Sequence, residues 1–318
     1  MTTSDLKSQG VGWIGTGRMG FALCERLLGA GCDLWVYNRT RSKAAPLAGQ
    51  GARVVDSPAE MAERDIVFTM VSGPKAFLEV MVGEEGVLSA NQRAPAVIVD
   101  SSTISAEASE QVRAEAEKLG AAVLAAPVSG NPKVVASGKL TVVVSGPRPA
   151  YERAKPYLEL YGAGVTYVGE GELARLVKIC HNLLLGVVTQ SLAEVTVLAE
   201  RYGVSRADFL EFINGSVMGS VFTRYKTPAF VNLDFTPTFT GHLLRKDFEL
   251  GLAMGREQDV PLPTAALVHQ MVVNLIGLGL GDVDFAALLE QEARGAGLEL
   301  RSEDRQVSDG LEPQGGGS

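Results

Sequence analysis

The charged side chain of Lys178 interrupts an apolar helical pattern in the middle of the chain. Lys178 lies within residues 173–188, and most of the residues around it in that range are hydrophobic. Asn182 follows one helical turn later on the same face. A helix that is apolar nearly all round is expected to be buried, and burial lowers the pKa of a lysine because the charged form loses its hydration. Such a lysine can give and take a proton near neutral pH. The alternative is that its stem reaches out of the helix to solvent.

A glycine-rich segment near the N-terminus has the composition of a phosphate-binding turn. In such a turn the first glycine permits a tight bend, the second lets the backbone approach a pyrophosphate, and the third lets helix and strand pack closely. The free N–H groups at the helix start then face the phosphates. Between an apolar run at 11–14 and a helical pattern, the turn comprises Gly15, Thr16, Gly17, Arg18, Met19 and Gly20. The alternative is a tight turn without a ligand.

The residues that follow the second apolar run indicate which dinucleotide is bound. An NAD-binding protein usually carries Asp or Glu there, which binds the ribose hydroxyls. This chain has Asn38, Arg39 and Thr40 instead. Arg39 can pair with a 2′-phosphate that a carboxylate would repel, its two neighbours can donate hydrogen bonds, and Arg41 is close enough in sequence to contribute. The segment favours NADPH, and the alternative is a solvated loop.

The first half of the chain alternates short β-rich runs with helical patterns, which is typical of a doubly wound α/β domain. Ser57, followed by Pro58, and Ser105 are predicted to cap two of the helices. The runs are apolar on both faces, as in a parallel sheet that helices cover on each side. Strands are predicted at 11–14, 34–38, 53–55, 66–71, 97–100, 122–125, 140–145 and 165–168.

The second half is predicted to be all-α. Residues 172–201 form one helical pattern, and further helices are predicted at 206–214, 241–258, 264–276 and 284–293. We therefore predict an α/β fold with a Rossmann-type, NADP-binding domain over 1–170. A long interdomain helix joins it to an all-α domain over 171–297, and a disordered tail follows over 298–318.

Composition narrows the possible partners and compartments. The formal net charge of −8 argues against nucleic acid, whose binding needs clustered Lys and Arg. The three cysteines have neither disulfide nor metal-ligand spacing, and the first ten residues do not resemble a secretory signal. The uncharged run Val260–Gly281 is long enough for a bilayer, but its prolines and glycines favour a helix buried between other helices. We expect a cytoplasmic protein that binds neither membrane nor metal.

Four motifs resemble, in order and spacing, those of the β-hydroxyacid dehydrogenase family, which includes 3-hydroxyisobutyrate dehydrogenase. The first is the glycine-rich turn together with residues 38–40, and the second is APVSG at 126–130. The third is Gly171 followed by Lys178 and Asn182. The fourth is KDF at 246–248. The resemblance extends over about residues 10–296.

The resemblance implies a role for each matching position. Lys178 would be the general acid that protonates a substrate carbonyl oxygen during reduction, and Asn182 would orient both lysine and substrate. Ser129 and Gly130, with Asn131 after them, would hold a substrate carboxylate in a turn of backbone N–H groups. Met70, Val71 and Ser72 would line the cofactor. Thr103 and Lys246 would contact both cofactor and substrate.

Two positions depart from the family pattern. Asn131 and Pro132 follow Gly130 where the family commonly has a second glycine, and His181 replaces the first of two asparagines after the lysine. The His181 imidazole lies near the helix face of Lys178. It would contact the substrate, tune the lysine or fill space, and we favour a contact with the substrate.

The resemblance implies that the chain interconverts a small carbonyl acid and its hydroxy acid with NADPH, as a homodimer or homotetramer whose α-domains pack together. We expect Phe230, Phe235 and Phe239 near the substrate side-chain pocket. An imine reductase has a similar architecture but typically lacks the lysine, and 6-phosphogluconate dehydrogenase has a larger α-domain. A non-catalytic NADP-binding protein on the same fold is the alternative from a different class.

Overall fold

The computed structural model describes Leu6 and residues 9–89 and 93–311. The chain divides into two compact units, and the division falls between Lys178 and Ile179. This division falls eight residues after the predicted boundary at 170. The cause is local: the first turn of the long helix is hydrogen-bonded to strand ends and to a helix of the first unit.

Short hydrophobic runs form the strands of the first unit, and the four-residue runs at 66–69 and 97–100 are buried throughout. The strands are β1 (Gly10–Ile14), β2 (Asp33–Tyr37), β3 (Arg53–Val54), β4 (Ile66–Thr69), β5 (Val97–Asp100), β6 (Ala122–Ala125), β7 (Val128–Ser129), β8 (Leu140–Val144) and β9 (Gly162–Tyr167). The first six pair in parallel in the order β3-β2-β1-β4-β5-β6. This order confirms the predicted doubly wound domain.

A second, three-stranded sheet has the order β7-β8-β9, with β7 antiparallel to β8 and β9 parallel to it. The sequence predicted β8 and part of β9 but not β7. A strand of two residues is too short to show any periodicity, so only its partner on β8 defines it.

The helices of the first unit cover the sheets. They are α1 (Arg18–Gly29), α2 (Ala45–Ala48), α3 (Pro74–Val82), α4 (Ala106–Lys118), α5 (Pro132–Ala136) and α6 (Arg148–Leu158). Ser105 caps α4 as predicted, with its side chain accepting a hydrogen bond from the Ala108 N–H. Ser57 and Glu60 form a capping box, but the segment that they cap, Pro58–Glu63, is a 3₁₀ helix.

The second unit is helical. The long helix α7 (Leu173–Arg201) begins in the first unit and continues into the second. It is followed by α8 (Arg206–Gly215), α9 (Val221–Asn232), α10 (Gly241–Glu257), α11 (Pro263–Gly277) and α12 (Leu288–Gly295). The sequence did not predict α9, because Pro228 lies inside it and proline usually ends a helical pattern.

Helix α7 is less buried than its composition predicted. Leu184 is 62% exposed and Leu198 is 58% exposed, so the part of the chain that the structure describes leaves one face of the helix exposed. By length and composition α7 could cross a membrane, but core helices of soluble proteins often pass the same test, and 44% of its most apolar window is buried. The run Val260–Gly281 contains α11, which buries Val268, Val272 and Leu275 and exposes Leu267.

The prediction of a disordered tail is wrong for residues 299–311, which are ordered. Residues 299–311 pack on the rest of the second unit. The Glu303 carboxylate accepts hydrogen bonds from the N–H groups of Arg206 and Ala207. The Arg206 side chain donates to the carbonyl oxygen of Arg301. Leu311 is buried. The rest of the predicted tail, 312–318, lies outside the described residues. Polar composition indicated disorder here, whereas a buried arginine 95 residues away binds the segment.

The aromatic residues expected around a substrate pocket lie in the core of the second unit. Phe230 is buried among residues of α7, α8 and α12. Phe239 packs edge-on against Phe285, and Phe235 joins the same cluster. We therefore withdraw Phe230 as a pocket residue, because its ring is enclosed by core side chains.

Candidate active site

The glycine-rich turn joins β1 to α1 at the carboxyl edge of the six-stranded sheet. Gly15 has a φ of +100°, and a Cβ there would lie 2.2 Å from the Met70 carbonyl oxygen. A Cβ at Gly20 would lie 2.0 Å from the carbonyl oxygen of Gly15, so α1 packs closely on the turn. At Gly17, the N-cap of α1, a Cβ would meet no atom within 4 Å. The turn therefore fits a dinucleotide: it is rigid where it packs and open where a pyrophosphate would approach.

Asn38 fixes this turn to the end of β2. The Thr16 N–H donates to Asn38 Oδ1 at 2.9 Å, and Asn38 Nδ2 donates to the Thr40 carbonyl oxygen at 2.9 Å. The Gly15 N–H donates to the Tyr37 carbonyl oxygen at 2.9 Å. The carboxamide of Asn38 therefore links the turn to the loop after β2. Its donation to a 2′-phosphate stays a prediction.

A cleft of about 510 Å³ opens beside the turn. It is lined by the predicted residues Gly15, Gly17, Asn38, Arg39, Thr40, Met70, Val71 and Ser72, and also by Tyr37, Lys43, Glu79, Glu84 and Glu85. Of the other predicted residues, Thr16 contributes its backbone N–H, and Arg18 and Met19 begin α1. Burial, together with the Glu79 and Glu85 carboxylates, raises the pKa of Tyr37, so its hydroxyl stays protonated.

Two basic residues near this cleft differ from the prediction. Lys43 lines the cleft, although no motif predicted it. Its spacing of four residues from Arg39, in a segment that turns at once after β2, was the available signal. Arg41 was predicted to assist, but its guanidinium pairs with the Asp56 carboxylate instead.

Polar side chains link the loops that follow β4 and β5. The Asp100 side chain is 0% exposed and accepts hydrogen bonds from Thr69 Oγ1 at 2.7 Å and from the Ser102 N–H at 3.1 Å. Ser102 Oγ accepts a hydrogen bond from the Val71 N–H at 2.8 Å. The predicted cofactor residues 70–72 and the exposed Thr103 therefore lie on two loops that hydrogen bonds join to each other.

The predicted substrate turn has a glycine with a positive φ, a conformation in which a residue with a side chain would be strained. Gly130 has a φ of +141°, and a Cβ there would lie 2.7 Å from Val134 Cγ1. Ser129 ends β7, and Asn131 caps α5 by accepting a hydrogen bond from the Val134 N–H at 3.1 Å. The side-chain oxygen Oδ1 of Asn131 thus caps the helix start, and Pro132 occupies the first helical position. The substrate contact of Asn131 stays a prediction.

Lys178 lies in the second turn of α7 and is half-buried. At about 100° per residue, His181 and Asn182 lie about 60° and 40° to either side of it around the helix axis. All three side chains therefore project within one arc of about 100°. This arrangement gives an ammonium donor two polar neighbours on the same helix face.

Asn182 is held by a residue of α10. Asn182 is buried, its Nδ2 donates to Asp247 Oδ2 at 2.6 Å, and its Oδ1 lies 2.9 Å from His181 Nδ1. Phe248 packs against Gly186, where a Cβ would lie 2.4 Å from the ring. The glycine lets α10 approach α7, and the carboxylate of Asp247 then fixes the Asn182 carboxamide. Lys246 stands beside this pair with its side chain 47% exposed.

Asp247 is a buried partner of Asn182, and in the sequence it stands out only as part of the KDF motif. It lies on the buried face of α10, between Leu244 and Gly251. A carboxylate at a buried helical position was the available signal, because such a group needs a partner. Among the described residues, no group of three or more His, Cys, Asp or Glu side chains could hold a metal ion.

The chain matches two family models. Residues 10–169 match the NAD binding domain of 6-phosphogluconate dehydrogenase. Residues 172–291 match the NAD-binding model of NADP-dependent 3-hydroxyisobutyrate dehydrogenase. Together the two matches cover both units.

Relatives and solved structures agree with these matches. The chloroplastic glyoxylate/succinic semialdehyde reductase 2 of Arabidopsis thaliana is 30% identical over 290 residues, which cover 91% of this chain and 81% of the relative. A Mycobacterium tuberculosis 3-hydroxyisobutyrate dehydrogenase solved with L-serine is 28% identical, with a TM-score of 0.74 over 89% of this chain and 98% of that one. Psf3, solved with NADP⁺ and 2-OPP, is 27% identical, with a TM-score of 0.77 over 88% and 99%.

Proposed function

This chain belongs to the 3-hydroxyisobutyrate dehydrogenase family of NAD(P)-dependent oxidoreductases, and from that premise we propose that it reduces a small aldehydo- or keto-acid to its hydroxy acid with NADPH. The observation that carries the proposal is Lys178 on the same helix face as Asn182, whose carboxamide the buried Asp247 fixes. A protein that only bound the nucleotide would need neither the ammonium group nor its held neighbour.

Each predicted site residue has a separate role in the proposed reaction. When bound, the dihydronicotinamide supplies a hydride. Lys178 supplies a proton to the carbonyl oxygen of the substrate, and takes one from the hydroxyl in the reverse direction. The turn at Ser129 and Gly130 offers backbone N–H groups to the substrate carboxylate. Thr103 and Lys246 contact substrate and cofactor, and Met70, Val71 and Ser72 line the cofactor.

His181 is assigned to substrate recognition. The contact of its Nδ1 with Asn182 Oδ1 orients the imidazole, and Asn182 is in turn oriented by Asp247. Because the family commonly has an asparagine at this position, the imidazole changes the size and the hydrogen-bonding capacity of the site. We expect this difference to alter the choice of carbonyl acid rather than the reaction.

The proposed preference for NADPH depends on opposite charges in one cleft. Arg39 and Lys43 line it and can bind a 2′-phosphate, whereas Glu79, Glu84 and Glu85 line it as well and would repel one. We assign the 2′-phosphate to Arg39 and Lys43, because Arg39 directly follows Asn38, which is bonded to the phosphate-binding turn.

Substitution of Arg39 should separate the two cofactors. We expect Arg39→Ala to raise the Kd for NADPH by about 10–100-fold, since a hydrogen bond to a charged group contributes about 1.5–3 kcal/mol, and to change the Kd for NADH by less than about threefold. Titration of cofactor fluorescence measures both constants. Arg41→Ala is the matched control, because Arg41 pairs with Asp56. Equal losses for both cofactors would contradict the assignment of Arg39.

A substrate screen tests the proposed reaction against its alternatives. Short aldehydo-acids, keto-acids and cyclic imines are each offered with NADPH and with NADH, and cofactor oxidation is followed. We expect turnover of carbonyl acids with NADPH. Turnover of imines alone would favour an imine reductase. Tight NADPH binding without turnover of any compound would favour the non-catalytic NADP-binding protein.

We also propose that the enzyme acts in the cytoplasm as a homodimer or homotetramer, with no nucleic acid or membrane partner. The three cysteines are free thiols, which suits a reducing compartment. Leu184, Val195 and Leu198 are exposed on α7 within about 60° of one another around its axis. We call these three residues the α7 apolar stripe, and its proposed occupant is the same helix of a second copy.

Charges on the α7 apolar stripe should separate the subunits. We expect the double variant Val195→Glu/Leu198→Glu to elute at the mass of one chain, because carboxylates buried between two helices lose their hydration. Size-exclusion chromatography with light scattering measures the mass. Leu119→Glu, an exposed leucine at the end of α4, is the control and should keep the wild-type mass. An oligomer that survives the double variant would rule out this interface.

A further inference from the structure

The first turn of α7 is fixed to the rest of the first unit by side chains from other segments. Ser145 Oγ, just after β8, accepts a hydrogen bond from the Ala174 N–H at 3.0 Å and donates to the Gly171 carbonyl oxygen at 2.8 Å. Glu172 accepts hydrogen bonds from two residues of α4, Ser109 at 2.8 Å and Arg113 at 2.5 Å. The helix start therefore has defined positions relative to β8 and α4.

Arg175 adds the connection to the sheet. Its Nη2 donates to Asp100 Oδ2 at 2.8 Å, its Nη1 donates to the Ser102 carbonyl oxygen at 2.9 Å, and its Nε donates to Glu172 Oε2 at 2.6 Å. All three nitrogens of one planar group thus have acceptors in different directions. Because the donors of a guanidinium are fixed in its plane, these bonds determine both its position and its orientation.

The charges in this network are balanced. Burial alone would raise the pKa of Glu172, but the guanidinium groups of Arg113 and Arg175 hold that pKa below its ordinary value, so Glu172 is ionised. The fully buried carboxyl group of Asp100 has Arg175 as its ion-pair partner. Removal of Arg175 would leave Asp100 without that cation, and Lys at this position could not make all three bonds.

Asp100 extends the connection to the two loops that follow β4 and β5. It binds Thr69 and the Ser102 N–H, and Ser102 Oγ accepts a hydrogen bond from the Val71 N–H. Val71 and Thr103 lie on these loops, which the proposed function places beside the cofactor and substrate. One connected set of bonds therefore runs from the cofactor loops to the helix that carries Lys178.

We propose that Arg175 is a positioning residue for Lys178, an inference that rests on the proposed function. Arg175 precedes Lys178 by three residues, or about 4.5 Å along the helix axis, so the helical backbone transmits its position directly to the lysine. The proton donor and the cofactor loops are thereby held in fixed positions relative to each other. A displacement of about 1 Å of the proton donor from the substrate can lower the reaction rate by about 100-fold.

A double-mutant cycle tests this role. We expect Arg175→Met to lower kcat by about 10–100-fold while the Kd for NADPH changes by less than about threefold. In a Lys178→Ala background the same substitution should lower kcat by no more than about threefold, because its effect passes through the lysine. Arg175→Lys keeps a cation beside Asp100 and should recover part of the loss.

Control variants separate positioning from stability. Arg113→Met removes the other arginine on Glu172 but leaves Asp100 and Ser102 bonded, so it should lower the melting temperature and change kcat by less than about threefold. If Arg175→Met does not fold, the cycle is run with Arg175→Lys. An equal loss of kcat in both backgrounds would overturn the positioning role. Wild-type turnover of Lys178→Ala would instead refute the proposed function itself, and this inference with it.

Discussion

We expect Lys178→Ala to lower turnover by about 10²–10⁴-fold, which is the usual contribution of a general acid or base. Lys178 is the ammonium group on the helix face that also carries His181 and Asn182, so its removal takes away the proposed proton donor. The Kd for NADPH should stay within about threefold, because the cleft beside the glycine-rich turn contains none of these residues. Steady-state kinetics and cofactor titration measure the two effects.

Two further variants define what Lys178 contributes. Lys178→Arg keeps the positive charge, but a guanidinium does not release its proton near neutral pH, so turnover should remain low. Lys155→Ala is the control for a lysine on the protein surface. Lys155 lies on α6, pairs with Glu159 just after that helix, and should be dispensable for turnover. Turnover of Lys178→Ala within about threefold of the wild type would show that another group supplies the proton.

The second large effect concerns stability and lies in a buried ion pair of the second unit. Lys226 is 3% exposed, and its Nζ lies 2.5 Å from Asp284 Oδ1. Asp284 Oδ2 accepts hydrogen bonds from the N–H and the hydroxyl of Thr238. Asp284→Ala would leave the ammonium group buried without its counter-ion. We expect the free energy of unfolding to fall by about 3–5 kcal/mol, measured by urea titration followed by circular dichroism.

A neighbouring aspartate provides the control for this prediction. Asp282 is two residues away and its side chain is 98% exposed, so Asp282→Ala should change the free energy of unfolding by less than about 0.5 kcal/mol. The double variant Lys226→Met/Asp284→Leu removes both charges and should recover much of the loss. Similar stabilities for Asp284→Ala and Asp282→Ala would contradict the importance of the ion pair.

The same pair predicts how stability changes with pH. Burial alone would raise the pKa of Asp284, but Lys226 and the hydrogen bonds from Thr238 and Ala286 outweigh it and lower that pKa below its ordinary value. The folded pKa therefore lies below the unfolded pKa of about 3.9. The stabilisation by the carboxylate is complete above the unfolded value and is lost as the pH falls through the folded one.

Urea titrations at a series of pH values measure this contribution. We expect the wild type to be more stable than Asp284→Asn above about pH 4, and the difference to shrink as the pH falls below it. A difference that stays constant through the acid range would show that the charge of Asp284 does not contribute.

Local patterns account for what could be predicted of the fold. Alternating apolar runs and helical patterns predicted all six strands of the parallel sheet, because each run lies between helical or turn segments. Gly15 and Gly20 were predicted in their steric roles, because only glycine fits the positive φ and the close approaches found there. The two-residue strand β7 and helix α9, with its internal proline, have no such local signal.

The candidate site was predictable in its residue types but not in their pairing. Lys178 and Asn182 are four residues apart, so helical periodicity alone placed them together. Asn131 and Asn38 are predicted to contact ligands, and the structure adds that one caps a helix and the other fixes a turn. An asparagine that faces a ligand and one that faces the backbone have the same sequence signature, and only the neighbouring chain distinguishes them.

By itself the sequence determined that a glycine-rich turn follows the first strand, that a lysine and an asparagine share one face of a long helix, and that the chain resembles one family. Those features depend on residues close together in sequence. Only the tertiary structure showed that Asp247 holds Asn182 across 65 residues and that Arg175 holds Asp100 across 75. The sequence shows each partner but not which residue it pairs with. Burial makes each pair necessary, because a polar or charged group removed from water needs the hydrogen bonds of the side chain that the fold brings to it.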